Sequence, residues 1–249
     1  MINILKKFAI LYSLISNNEI TTTPLSVLKS LNKKRVPDNV MNELSFKKSF
    51  LPFKSLFYMY NWLKYETITV MYDGKYVINS FLPPMPGNGY NRMFENLLSG
   101  RKISPVSAYI AITSRCSYDC WHCSYKKRNN EEMDFTLISK TIDELIDLGV
   151  SIIGITGGEP TLRNDLVDIV TKISYNADSM LFTNGYGFTD ELALRLKNAG
   201  LWAVAISLDS YISDEHNKKR GNVEAYSRAI EAINVAVKHS FYTMITTVP

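Results

Sequence analysis

The 249-residue sequence holds only three cysteines, three histidines and three tryptophans. All three cysteines fall within one short stretch, at Cys116, Cys120 and Cys123, and none follows. An odd number of crowded thiols cannot form the paired framework of a disulfide-stapled secreted domain. No run approaches the ~18 apolar residues that a membrane-spanning helix requires, so no transmembrane segment is expected. Neither sign of charge dominates: 28 Lys and Arg face 24 Asp and Glu, a formal net charge of +4. That balance carries no clear nucleic-acid signal. The basic clusters Lys6-Lys7, Lys33-Lys34-Arg35, Lys47-Lys48 and Lys126-Lys127-Arg128 read as solvated faces. With 46% hydrophobic and 21% charged residues the chain is globular rather than disordered, and its length suffices for a substantial core.

The triplet itself, Cys116-Ser-Tyr-Asp-Cys120-Trp-His-Cys123, is the densest concentration of chemistry. Three thiolates can hold three irons of a four-iron cluster and leave the fourth open to a ligand. The competing reading is zinc, which wants four ligands, usually as two separated pairs. His122 is the one local candidate for a fourth, and its place beside Cys123 is poor for closing a tetrahedron. Clustered thiolates also favour a reducing, cytoplasmic setting. A second motif, Thr156-Gly157-Gly158-Glu159-Pro160, follows the apolar run Val150–Ile155, which reads as a buried strand. Two glycines there allow close approach of backbone to a ligand, and Glu159 offers a carboxylate to a cationic group. Alone, this motif is equally well an ordinary strand–helix turn.

From residue 103 onward the pattern alternates strand and helix. Strands are expected at 106–113, 151–156, 179–183, 202–208 and 242–248, and helices at 135–148, 165–174, 190–199 and 223–238. Such alternation predicts an α/β fold with a parallel sheet. The candidate residues all fall at the C-terminal ends of strands, the functional end of a barrel. The division near residue 100 separates a mainly helical N-terminal region, 1–100, from this core, 101–249. Within the first region, Glu66–Tyr72 and Lys75–Ser80 around Asp73-Gly74 predict a β-hairpin, and a short helix is expected at 91–98. The stretch 1–15 reads as an amphipathic helix, and the aromatics between Phe50 and Tyr65 as a core or docking face, with a membrane-peripheral role as the lesser reading.

Together the C-x3-C-x2-C triplet and the Gly157-Gly158-Glu159-Pro160 motif resemble those of the radical S-adenosylmethionine (radical SAM) superfamily, over about residues 103–249. The resemblance implies a partial (β/α) barrel. Cys116, Cys120 and Cys123 would hold a [4Fe-4S] cluster whose open iron binds S-adenosyl-L-methionine (SAM). Glu159 with the Gly157-Gly158 backbone would receive the SAM amine, and Asn184 and Ser207 would contact its ribose or methionine part. Asp209, in Ser-Leu-Asp-Ser210, and His216 with Arg220-Gly221 resemble a signature of peptide-modifying members, in which Arg220 would pair with the SAM carboxylate. For Asp209 a simple turn cap is equally open. His216 reads as a loop or orienting residue rather than an acid–base catalyst, and Arg220 has a helix end as its other partner. His122 would lie near the adenine, and Tyr118 and Trp121 would pack around the cluster.

The implied reaction is reductive cleavage of SAM and hydrogen-atom abstraction from a substrate, with flavodoxin or ferredoxin as reductant. The branch signature points to a peptide substrate, although no cysteine remains for auxiliary clusters. A lipid or small metabolite is the alternative, RNA a third, and a non-catalytic cluster- and SAM-binding protein the reading of a different class. The family usually has about six strand–helix units and this sequence supplies five strands, so a shortened chain is expected.

Overall fold

The computed structural model describes residues 69–70, 75–77, 79–84, 87–98, 105–125 and 132–248. The segments 1–15 and 50–65 and the Asp73-Gly74 turn lie outside them. The chain divides into two compact units, Met1–Ser104 and Pro105–Pro249. In the first, β1 (Thr69–Val70) pairs antiparallel with β2 (Tyr76–Val77), Thr69 opposite Val77 and Val70 opposite Tyr76, one residue away from the register that a two-residue Asp73-Gly74 turn would set. Helix α1 (Asn88–Leu98) begins three residues earlier than its apolar spacing suggests.

The second unit is built on five parallel strands: β3 (Ser107–Thr113), β4 (Ile152–Gly157), β5 (Asp178–Thr183), β6 (Leu201–Ser207) and β7 (Tyr242–Thr246). Helices α2 (Phe135–Leu148), α3 (Leu166–Ser174), α4 (Asp190–Asn198) and α6 (Ala225–Lys238) return the chain between them. A further helix, α5 (Ser213–Arg220), precedes α6. The strands lie in the sheet in chain order, β3-β4-β5-β6-β7. Parallel crossovers are right-handed. Steps that never reverse direction therefore put every crossover helix on one face, and the result is a partial barrel rather than a doubly wound sheet.

Strand alternation divides the side chains accordingly. Ile110, Ile112, Ile153, Ile155, Leu181, Val204 and Ile206 pack outward with the helices into one core. Helix α2 contributes Ile138, Ile142 and Ile146, a four-residue spacing that keeps all three on one face. Asp134 caps its first turn by accepting from the Leu137 N–H. The opposite strand faces line the barrel interior. There Tyr109 lies opposite Gly154, and a Cβ on Gly154 would stand 2.3 Å from the Tyr109 ring. The missing side chain is the space in which the ring lies, edge-on to Phe182 at 5.4 Å.

Helix α5 was not foreshadowed by the sequence pattern. Its residues, Ser-Asp-Glu-His-Asn-Lys-Lys-Arg, have no apolar period. Asp214 and Glu215 in its first turn and Lys218, Lys219 and Arg220 in its last complement the helix dipole instead. Among the described residues no helix is long and apolar enough to cross a membrane.

Candidate functional site

The C-terminal ends of β3 to β6 converge on a cavity of about 650 Å³. Cys116, Cys120 and Cys123, all free thiols, line it. So do Gly157, Gly158, Asn184, Ser207 and Arg220 from the predicted set. Glu159 and Asp209 do not; both side chains lie behind the wall. Sequence reasoning gave no role to Ser114, Phe182 and Thr183, which also line it, as does Thr156 of the glycine motif. Their signal was positional, since each lies at or next to the C-terminal end of a strand.

The two glycines also serve the cysteine loop. A Cβ on Gly157 would meet the Thr113 carbonyl oxygen at 2.3 Å, and one on Gly158 would meet that of Arg115 at 2.1 Å. The space they leave is filled by the cysteine loop's own backbone. Across it the Gly158 N–H donates to the Thr113 carbonyl and the Glu159 N–H to the Arg115 carbonyl, both at 2.7 Å. The loop carrying the thiols is thus laced to the end of β4.

Glu159 is fully buried. Its Oε1 accepts from the Thr161 N–H at 3.1 Å and from the Thr161 and Thr183 hydroxyls at 2.7 Å each. Its Oε2 accepts from the Asn184 N–H at 2.7 Å. Burial pushes the carboxyl up from its ordinary value, and these four donors work against that shift. The carboxylate ties β4 to the end of β5. Asn184 carries the connection onward: its amide donates to Cys116 Sγ at 3.5 Å, and its Oδ1 accepts from the Tyr186 N–H.

The start of the cysteine loop is held by a polar network that the sequence did not reveal. Arg163, buried, donates through Nη1 to the Ile112 and Met133 carbonyls and pairs bidentately with Asp165. Arg115, next to Cys116, bonds Glu132 at 2.8 Å and the Leu162 carbonyl at 3.1 Å, and Glu132 also takes the Thr113 hydroxyl. The far side is held by α5. Arg220 pairs with Asp209 through two 2.7 Å bonds, so its partner is a carboxylate rather than a helix end. Asp209 does more than cap a turn, since its Oδ1 also accepts the Val248 N–H. His216 lies in α5 rather than in a loop, and its Nδ1 accepts the Asp209 N–H at 3.0 Å. Burial, then the charge of Arg220, lowers the His216 pKa. Tyr118 packs with Cys120 and Cys123 as expected. Trp121 does not pack inward; it is 62% exposed, with its ring set edge-on to His122.

Burial is the main cause that raises the thiol pKa of both Cys116 and Cys120, with Arg220 acting in the opposite direction on Cys120. Among the described residues no three His, Cys, Asp or Glu side chains converge tightly enough to grip a single metal ion. The wall also holds unspent hydrogen-bonding capacity: Ser114 Oγ, Tyr118 Oη and His122 Nδ1 are buried without partners. A thiol-lined cavity with polar atoms awaiting a ligand fits an iron–sulfur cluster and a polar cofactor together.

Residues 110–249 match the family model of the radical SAM superfamily. The chain belongs to this superfamily. Its members use a [4Fe–4S] cluster and SAM. Over 160 residues the chain is 36% identical to a protein of Methanococcus maripaludis named probable GTP 3′,8-cyclase, with 60% of this chain and 53% of that one covered. Over 136 residues it is 39% identical to a protein of the same name from Saccharolobus islandicus, covering 51% and 42%. The chain thus spans about half the length of the curated relatives it matches. Among solved structures it resembles Streptococcus suis SuiB bound to S-adenosylmethionine, with TM-score 0.51 and 18% identity over 62% of this chain and 39% of that one. That likeness concerns the fold.

Proposed function

We propose that this protein is a radical SAM enzyme that reductively cleaves SAM and removes a hydrogen atom from a nucleotide substrate. The observation that carries the reaction is the placement of all three cysteines on one cavity at the strand ends of a superfamily member. Cys116, Cys120 and Cys123 would hold the cluster as thiolates. When bound and reduced by a donor such as flavodoxin or ferredoxin, the cluster and SAM together supply a carbon-centred radical able to abstract hydrogen.

The chain's own residues bind, orient and enclose. Thiols raised by burial must lose their protons to metal, so loading is favoured at higher pH. The Gly157-Gly158 backbone, rather than the Glu159 carboxylate, faces the cavity where the SAM amine would bind. Asn184 and Ser207 offer polar contacts to the rest of the cofactor, and Ser114 and His122 add groups with free capacity. Arg220 lines the wall with its strongest donors already taken by Asp209.

For the substrate, the relatives named GTP 3′,8-cyclases support a nucleotide over the peptide suggested by the Ser207–Gly221 signature. The half-exposed Tyr109 ring inside the barrel, beside the cavity-lining Phe182, offers a flat surface to a base. Anaerobic reconstitution with iron and sulfide, reduction, and assay for 5′-deoxyadenosine test the reaction, with Cys120→Ala as control. Product that depends on Cys120 supports it, and a loaded wild type without product refutes it. Adding purine nucleotides or peptides separately tests the substrate: nucleotide-dependent acceleration and consumption is expected, and acceleration by a peptide alone would reverse the assignment.

A further inference from the structure

We infer that the buried Asp209–Arg220 pair is a positioning device that sets a fixed positive charge against Cys120 and makes the cluster easier to reduce, rather than a binding group for SAM. The inference rests on the reading above that Cys120 is a cluster ligand.

Arg220 is the last residue of α5, and its side chain is 8% exposed. Its Nε and Nη2 form a fork on Asp209, both bonds at 2.7 Å. This bidentate geometry fixes the plane of the guanidinium and leaves Nη1 directed at Cys120, 4.0 Å from Sγ. The carboxylate that orients the fork is itself immobile. Its side chain has no exposure; Oδ1 takes the Val248 N–H, and the Asp209 N–H is held by His216. The positive member of the pair is therefore the one presented to the sulfur, and the negative member sits behind it.

The same helix end grips the loop on both sides of Cys120. The Trp121 N–H donates to the Lys219 carbonyl at 3.2 Å. Gly221, at φ 63°, packs so closely that a Cβ would lie 2.5 Å from the Asp119 carbonyl oxygen. A helix C-terminus brought this near a thiolate presents the negative end of its dipole, which opposes adding an electron. Arg220 occupies the position from which one charge offsets that field. Potentials of iron–sulfur clusters respond to charge and to hydrogen bonds at the sulfurs, and a buried charge is weakly screened.

The test uses the full chain, loaded anaerobically, as wild type, Arg220→Gln, Arg220→Lys and Asp209→Asn. Iron and sulfide content, midpoint potential by redox titration followed by electron paramagnetic resonance, and SAM affinity by equilibrium dialysis are measured for each. Arg220→Gln should make reduction at least tenfold less favourable, about 59 mV for a one-electron couple, with SAM affinity within about threefold of wild type. Arg220→Lys should keep most of the potential. Asp209→Asn should move it the other way, a sign reversal that a purely structural role would not produce. An unchanged potential in Arg220→Gln, or lost SAM affinity at unchanged potential, overturns the inference. If Arg220→Gln takes up no iron, a raised potential in Asp209→Asn sustains the inference, and an unchanged or lowered one ends it. Failure of both to load also overturns it, because the pair would then serve only the fold. If wild type itself takes up no cluster, the radical SAM reading of this site fails first and the inference falls with it.

Discussion

Replacing Glu159 with glutamine separates two roles that sequence alone cannot distinguish. As a direct ligand of SAM, Glu159 would be silent in the unloaded protein and needed only when cofactor binds. As placed by the fold, it is a buried knot taking four donors from Thr161, Thr183 and Asn184. Glutamine keeps the shape and one acceptor oxygen. With that oxygen toward the threonines, its NH2 must face the Asn184 N–H, where Oε2 now accepts at 2.7 Å. Two donors then meet, and one buried N–H is left unsatisfied at a cost of about 1–3 kcal/mol. Burial raises the Glu159 carboxyl pKa, so the native charge carries a desolvation penalty that glutamine lacks, which offsets part of the loss. A net destabilisation of about 2 kcal/mol lowers the midpoint of thermal unfolding by roughly 4–8 °C in a unit of this size. The assay is thermal and urea unfolding of the metal-free protein followed by circular dichroism. A variant as stable as wild type when unloaded, but unable to bind SAM once loaded, would refute this reasoning and restore direct contact.

The remaining predictions concern the loop and its supports. Gly158→Ala should prevent stable iron loading and destabilise the metal-free protein by about 3 kcal/mol, because the added carbon meets backbone at 2.1 Å that cannot swing away. Gly154→Ala, which meets the movable, half-exposed Tyr109 ring, should cost about 1 kcal/mol; chemical denaturation of the two variants checks the contrast, and equal losses would contradict it. His216 has a folded pKa lowered by burial and by Arg220. The unfolded chain therefore binds its proton more readily, and the stability from neutral His216 is present above the unfolded pKa of about 6.5 and declines as pH falls below it. Urea midpoints measured between about pH 7.5 and pH 5.5 should fall less steeply in His216→Asn than in wild type, and parallel curves would remove His216 from the account.

What the sequence determined by itself is local. The cysteine spacing, the glycine pair after an apolar run, and the four-residue recurrence of Ile138, Ile142 and Ile146 all lie within one turn or loop. With the strand–helix alternation they were enough for a parallel α/β fold, with α2 placed on its observed residues, and the resemblance that the two motifs carry implied the partial barrel. Tertiary structure alone decided where the functional side chains point. Glu159 turns inward because donors from residues 24 and 25 positions later close over it. The glycine pair serves the cysteine loop because β3 and β4 are hydrogen-bonded neighbours. Helix α5 has no apolar stripe to announce it, and its meaning lies in Arg220 reaching Cys120 across 100 residues of chain. Periodicity reports which face is buried, because burial of apolar area repeats with the backbone. It is silent on polar partners, since a buried carboxylate or guanidinium is settled by whichever distant groups complete its hydrogen bonds.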